Sequence, residues 1–514
     1  MTLSRACPIA ACVALAIASA LPLQSQPRPI LRARTGDAGA AIVLGLPAAE
    51  TLSRPDASGM TLSRPQVWTR DPATGAEYRA DHVLVRFRES SSAGLRTTAL
   101  ATAGASGSAR ALWDGWERAT VDLGTSAVAV RARLAADPAV SEAVLSYRME
   151  AFATRPNDEF FGRQWNLEVL DLPRVWDIND GASDQVVVAV IDTGLNVQGG
   201  TFTWTIGGIG TIALPVAEAA DLVSPGRIVG ARDFVYDDDL PLDLDGHGTH
   251  VAGTIAQLTG NGTGVAGIAH RVRVMPIKVL SSVIDFLANP FNPGDETSTV
   301  AAGIRYAADQ GAHVINLSLG GRGPAPLARD AIRYAVSRGA FVTISAGNEG
   351  DVDNPIMYPA AYGAEIEGAV TVGAVGPDLR HAEYSGFRPY VEICAPGGDG
   401  LRSESDVERG VSQMTYRSSN SWSDLSPLET FVLLGRRLQP RFDTFAVTAY
   451  QGTSMAAPHV AGIAALLYDQ GLRDPAAVER AIKQFARRID ATADECGAGL
   501  VDPRSTLRGL GMLQ

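Results

Sequence analysis

The chain has 514 residues, 46% of them apolar and 19% charged, with a net charge of −12 at neutral pH. That balance belongs to a globular protein rather than a disordered one, and the length exceeds what one hydrophobic core usually fills, so two or more units are expected. An acidic chain of this kind argues against nucleic acid as a partner.

Residues 1–20 read as a secretory signal. Arg5 supplies the positive charge, Pro8 to Ile17 a short apolar core, and Ala18-Ser19-Ala20 an A-x-A cleavage site. The apolar run is too short to span a membrane comfortably. Ile9 to Cys12 has the form of a lipoprotein box, but too little apolar sequence precedes it. Removing the signal takes Cys7 and Cys12 and leaves Cys394 and Cys496, which can form one disulfide only if their Cα atoms lie close together. The expected location is secreted or periplasmic.

Residues 21–76 are rich in Pro, Ala, Arg, Ser and Thr without periodicity and read as a flexible leader. Thr51–Pro55 recurs once as Thr61–Pro65, which is no solenoid. Order returns over 77–152. His82 to Phe87 alternates like a strand, Ala127 to Ala136 has helical spacing, and Glu142 to Tyr147 reads as a second strand, together a small α+β unit.

Beyond Pro156, in a unit taken as 153–514, strand-like runs (Gln185–Ile191, Val272–Leu280, His313–Leu319, Ala340–Ala346, Ala369–Val375) alternate with helical ones. The helices are expected at Thr299–Gln310, Leu327–Arg338, Ser454–Gln470 and Ala476–Ala486. Runs that are apolar on both faces and joined by helices predict an α/β fold, a doubly wound and mostly parallel sheet with helices on both sides. Reactive groups in such folds gather past the C-terminal ends of the strands.

Three blocks carry chemistry. Val187–Gly194 places Asp192 at the end of an apolar run, Asp245–Gly253 places His247 at a helix start, and Gly452–Gly462 places Ser454 at the opening of an apolar helix. A serine hydroxyl is a poor nucleophile without a nearby base and a third group to orient that base. At a helix N-terminus, unpaired N–H groups and the dipole favour a developing oxyanion. Read singly, each has a plainer role: Asp192 as a turn residue, Ser454 as an N-cap, His247 with His250 as a metal pair lacking further ligands. Three coincidences in the order Asp, His, Ser are much less plausible than one site.

In this order and with these blocks the sequence resembles the subtilisin-like serine proteases, over about Pro156 to Pro503. The resemblance implies a secreted serine endopeptidase of broad specificity and adds a fourth block, Phe341–Gly350, whose Asn348 is the family's oxyanion donor. It further implies that Ser318, Leu319 and Gly320 with Ala346 and Gly347 pair an extended protein substrate, and that Met357 stands where the floor of the first specificity pocket is often Gly. It implies structural Ca²⁺ held by Asp158, Leu258, Asn261, Thr263 and Val265, with Asp233 and Asp238 as part of a second site. The family's other carboxylate for the first site belongs to the loop after Asp192, which is rebuilt here.

By position, 77–152 takes the place of the family's inhibitory propeptide, with a cut expected after Phe152. The partners implied are protein substrates and this unit as an intramolecular inhibitor, with no membrane once the signal is gone, and the chain is expected to be a monomer. Stretches 196–228, 280–297 and 398–450 depart from the family, are loop-like, and border the presumed cleft. An inactive subtilase-fold binding module is the main rival, opposed by the intact Asp192, His247, Asn348 and Ser454. Gly207–Gly210 lacks the spacing of a dinucleotide loop, and no G-x-S-x-G occurs for an α/β-hydrolase esterase. Of the 44 lysines and arginines only Lys278 and Lys483 are lysines, from which the sequence alone yields nothing.

Overall fold

The computed structural model describes residues 68–509 except 72–75, 113, 123–124, 149–154, 207–208, 290, 293, 402–405, 417–426 and 437–439. The signal, most of the leader and the expected cut after Phe152 lie outside these residues. Among the described residues no helix is long and apolar enough to cross a membrane.

The N-terminal unit is a five-stranded antiparallel sheet of β1 (Trp68–Arg70), β2 (Glu77–Phe87), β3 (Ala105–Ala111), β4 (Trp116–Val121) and β5 (Val140–Tyr147). β2 pairs with β4 on one side and β5 on the other. The period of two in β2 turns Val83, Val85 and Phe87 inward, onto Leu100, Val130 and Leu134 of the helices Ala93–Ala103 and Ala127–Ala136. The first helix is capped by the Ser92 side chain, which accepts from Leu95 N, and ends at Gly104 in the left-handed region.

The larger unit is built on seven parallel strands in the order β14-β13-β12-β11-β6-β10-β9. These are β6 (Val187–Asp192), β9 (Arg232–Asp233), β10 (Arg273–Lys278), β11 (Val314–Leu317), β12 (Phe341–Ser345), β13 (Ala369–Val375) and β14 (Ile393–Pro396). Side chains of β6 alternate between two cores. Val188 and Val190 join the helices His247–Ala256 and Thr453–Asp469, while Val187, Ala189 and Ile191 join Thr297–Asp309 and Pro326–Ser337. Each fully buried aliphatic side chain of this kind contributes roughly 1.5–3 kcal/mol. The predicted doubly wound sheet is therefore present, with strand and helix ends moved by at most two residues.

The helix Thr453–Asp469 is buried on nearly every side, and Ser454 is one of its few part-exposed residues. A disulfide joins Cys394 of β14 to Cys496. In the helix Pro475–Gln484, Lys483 bridges Glu392 at 2.7 Å and Glu479 at 2.9 Å.

The described parts of the three divergent stretches carry regular elements where loops are expected. The first is a hairpin of β7 (Gly200–Ile206) and β8 (Gly210–Val216), the second holds the helix Val283–Ala288, and the third pairs β15 (Val411–Tyr416) with β16 (Phe445–Tyr450). Their apolar residues share a satellite core that includes Leu214, Ile284, Tyr416 and Phe442 together with Leu242 and Leu244. Alternation in β7 (Phe202, Trp204, Ile206) is the period-2 signal that a loop reading overlooks. Leu242 and Leu244 flank Asp243, so the insertions brace the turn that leads into His247.

Candidate active site

Asp192 is the last residue of β6, fully buried. Its Oδ1 meets Nδ1 of His247 at 2.7 Å and accepts from Thr193 N at 2.7 Å. His247 opens its helix after Gly246, whose φ of 109° lies in the range that favours glycine. The entry turn is held by fully buried Asp243, which accepts from Gly246 N (2.8 Å), Thr249 N (2.9 Å) and the Thr193 hydroxyl (3.0 Å). The Thr193 hydroxyl in turn accepts from Gly248 N at 2.8 Å.

Burial works to lower the His247 pKa, but the charge and hydrogen bond of Asp192, with Asp245 and Asp243 behind them, outweigh it and hold it at about 9. Asp245 is pushed up to about 6 by burial and by the neighbouring Asp243. His250 behaves otherwise. Burial takes its pKa down to about 3, its Nε2 lies 2.9 Å from Val411 O, and its ring stacks on Tyr450 at 4.6 Å. It is a core histidine, which disposes of a His247–His250 metal pair.

Ser454 stands in the first turn of its helix, where N–H groups have no intrahelical partner. Its hydroxyl donates to Ser318 O at 3.2 Å, while Ser318 Oγ donates to Ser454 O at 2.8 Å. Apo sites often hold such groups off the catalytic line until substrate arrives. Asn348 is exposed just past β12, and its amide has a defined direction. Its Oδ1 accepts from Thr453 N at 2.8 Å and the Thr453 hydroxyl at 2.9 Å, leaving Nδ2 as the end not bonded to that turn.

His247, Ser454 and Asn348 line one cleft of about 510 Å³ with Ser318, Leu319, Gly320, Gly347 and Met357. Ala346 lies behind it, fully buried, with its N–H on Val372 O. The Gly347 N–H is held by the Thr453 hydroxyl at 3.1 Å. The Gly347 carbonyl accepts from Gly386 N at 2.9 Å. Met357 is buried, and a Cβ on Gly347 would lie 2.6 Å from its Cγ, so the methionine packs directly over this glycine wall.

Of the cation candidates, Asp158 is buried under the loop Leu258–Val265. Its Oδ2 accepts from Gly260 N at 2.7 Å, while its Oδ1 is buried without a hydrogen-bond partner. Asp221, absent from the sequence reading, reaches this place from the rebuilt loop after Asp192. It accepts from the Asn261 amide and, at 3.2 Å, from Gln257. Burial raises its pKa and the Asp158 charge adds to the rise, against the hydrogen bonds from Asn261 and Gln257. No motif marks Asp221 in the sequence, because its place depends on where the hairpin β7–β8 ends.

At the second candidate site each carboxylate serves its own turn. Asp233 is buried and accepts from Val235 N and Tyr236 N, and burial pushes its pKa up to about 7. Asp238 is exposed and accepts from Leu240 N. Among the described residues no three His, Cys, Asp or Glu side chains form a metal cluster.

Residues 183–499 match the family model described as the subtilase family. Thermitase of Thermoactinomyces vulgaris is 32% identical over 349 residues, covering 68% of this chain and 97% of its own. An extracellular protease of Xanthomonas campestris pv. campestris is 30% identical over 390 residues, covering 72% of this chain and 59% of its own. Among solved structures, a protease of Pseudoalteromonas arctica PAMC 21717 aligns with a TM-score of 0.50 at 31% identity, over 70% of this chain and all of that one.

Proposed function

The chain belongs to the subtilase family and is a serine endopeptidase, and we propose that it cleaves peptide bonds through Ser454, His247 and Asp192. One observation carries the reading: a buried carboxylate holds an imidazole that shares a single cleft with a helix-start serine and an amide tied back by its oxygen. Ser454 Oγ attacks the scissile carbonyl. His247 Nε2 takes the hydroxyl proton and returns it to the leaving amine, and Asp192 fixes the tautomer with Nδ1–H toward itself. Asn348 Nδ2 and the Ser454 N–H receive the oxyanion. Mature protein should react with a fluorophosphonate at Ser454. A chain that stays unlabelled is the inactive binding module instead.

The tie from Thr453 to Asn348 Oδ1 supports a preorganised donor. Asn348→Ala is expected to lower kcat by roughly 10²–10³ with KM little changed. Thr453→Val, which removes the hydroxyl tie and keeps the one from the Thr453 N–H, should cost less, about threefold. Steady-state kinetics on one peptide amide checks both.

An extended substrate lies along Ser318–Gly320 by main-chain pairing, which tolerates many sequences and supports broad specificity. Met357 narrows the pocket for the residue before the cut. Met357→Gly is therefore expected to raise kcat/KM for large aromatic side chains there by roughly tenfold, as measured on a peptide series.

The orphan oxygen of Asp158 beside Asp221 suits a hard cation. Asp158, Asp221, Asn261 and the carbonyls of Leu258, Thr263 and Val265 would hold Ca²⁺, which cross-links this loop and takes no part in the reaction. Chelator is expected to lower the melting temperature by about 5 °C, and Asp221→Asn to abolish that response. A melting curve indifferent to chelator rules the site out.

Secretion is supported by the signal-like residues 1–20, by the Cys394–Cys496 disulfide, which is a feature of oxidising compartments, and by the name of the Xanthomonas relative. The small unit over 77–152 acts as the inhibitor that keeps the protease silent until it is cut away near Phe152.

A further inference from the structure

Lys278 ends β10 in register with Asp192 at the end of β6. Its side chain is fully buried, as is that of Asp285, which it meets at 2.9 Å. A lysine taken wholly out of water stays charged only through such partners. The ammonium also donates to Thr193 O at 2.9 Å. Thr193 is the junction of the site, with its N–H on the Asp192 carboxylate and its hydroxyl accepting from Gly248 N at the start of the His247 helix.

On its other side the pair reaches into the insertions. Asp285 belongs to the capping box of the helix Val283–Ala288 and accepts from Tyr236 OH at 2.8 Å. Tyr236 OH accepts from Trp204 Nε1 of β7 at 2.9 Å. A continuous line of hydrogen bonds therefore runs from the β7–β8 hairpin through Tyr236, Asp285 and Lys278 to the peptide beside Asp192.

We propose that Lys278 and Asp285 are positioning residues that fix the Asp192–Thr193 strand end, and with it the Asp192–His247 bond, so that the insertion helix supports catalysis. This rests on the reading of Asp192 and His247 as orienting group and base. The ammonium holds the Thr193 carbonyl, which aims the N–H and hydroxyl of the same residue at the two catalytic elements. Asp285 keeps the ammonium in place and neutralises it.

Lys278→Met alone strands a buried carboxylate and tests folding as much as positioning. The informative protein is Lys278→Met combined with Asp285→Asn, which removes both charges together. It is expected to melt close to wild type, with kcat about tenfold lower and KM within about twofold. The low-field proton resonance of the His247 Nδ1–Asp192 bond should shift or broaden. Wild-type kcat with an unmoved resonance in the stable double variant overturns the proposal. If that variant does not fold, Tyr236→Phe, which leaves both buried charges intact, is expected to lower kcat about threefold and shift the same resonance; no change in either overturns it. A wild-type enzyme that ignores fluorophosphonate defeats the functional reading instead, since the resonance reports the bond without turnover.

Discussion

Ser454→Ala is expected to hydrolyse casein about 10⁶-fold more slowly than wild type, while its fold stays intact. The side chain is part-exposed, and its one hydroxyl bond, to Ser318 O, lies at the cleft wall rather than in the core. A residue of catalysis should survive, because the helix N-terminus and Asn348 still receive an oxyanion when water attacks. If the enzyme cuts its own leader, the same variant should accumulate the chain that still carries 77–152, and N-terminal sequencing of the wild type should find a start near Ala153. Full casein activity in Ser454→Ala defeats the mechanism. A mature wild-type start near Leu21 defeats the propeptide alone.

Asp192→Asn is expected to lower kcat by about 10⁴, because an amide at this place accepts or donates equally well and no longer selects the imidazole tautomer. The pH profile should change in a defined direction. Burial favours neutral His247, yet the Asp192 charge and its neighbours override it and hold the pKa at about 9. The base must be neutral, so wild-type kcat/KM should climb through an acid limb displaced from 6.5 toward 9. Removing the Asp192 charge leaves burial less opposed, and the limb should move to lower pH on a much lower plateau. Stability runs the other way. A folded pKa raised above 6.5 contributes stability that is complete below 6.5 and lost as pH rises through about 9. The enzyme thus gains activity across the window in which it gives up that contribution. An acid limb that stays put in Asp192→Asn assigns the titration to another group.

The sequence carried the site in its short blocks because each residue there is constrained by backbone as well as chemistry. Gly246 must adopt a positive φ, and β6, buried on both faces, carries only apolar residues up to Asp192. Those constraints are local, so a linear reading finds them. Asp221 and Asp285 were not legible for the converse reason. Each is one acid among many in an acidic chain, and only the packing of the insertions brings one beside Asp158 and the other beside Lys278. In the N-terminal unit β3 was missed because its Ala/Ser/Gly composition has no hydrophobic alternation to detect. The helix Ala93–Ala103 gives a weak signal for a related reason, since only Ala99, Leu100 and Ala103 mark its buried face.

The scarcity of lysine gains a meaning once both are located. Lys278 lies wholly out of water, and Lys483 is clasped by Glu392 and Glu479. Every other basic side chain of the 44 is a guanidinium, which amine-directed reagents leave alone. An acylating dye therefore has at most two sites, the α-amino group at the start of whatever chain remains after processing and the part-exposed Lys483. Few tagged peptides then need sorting, and the one that does not contain Lys483 identifies the first residue by mass.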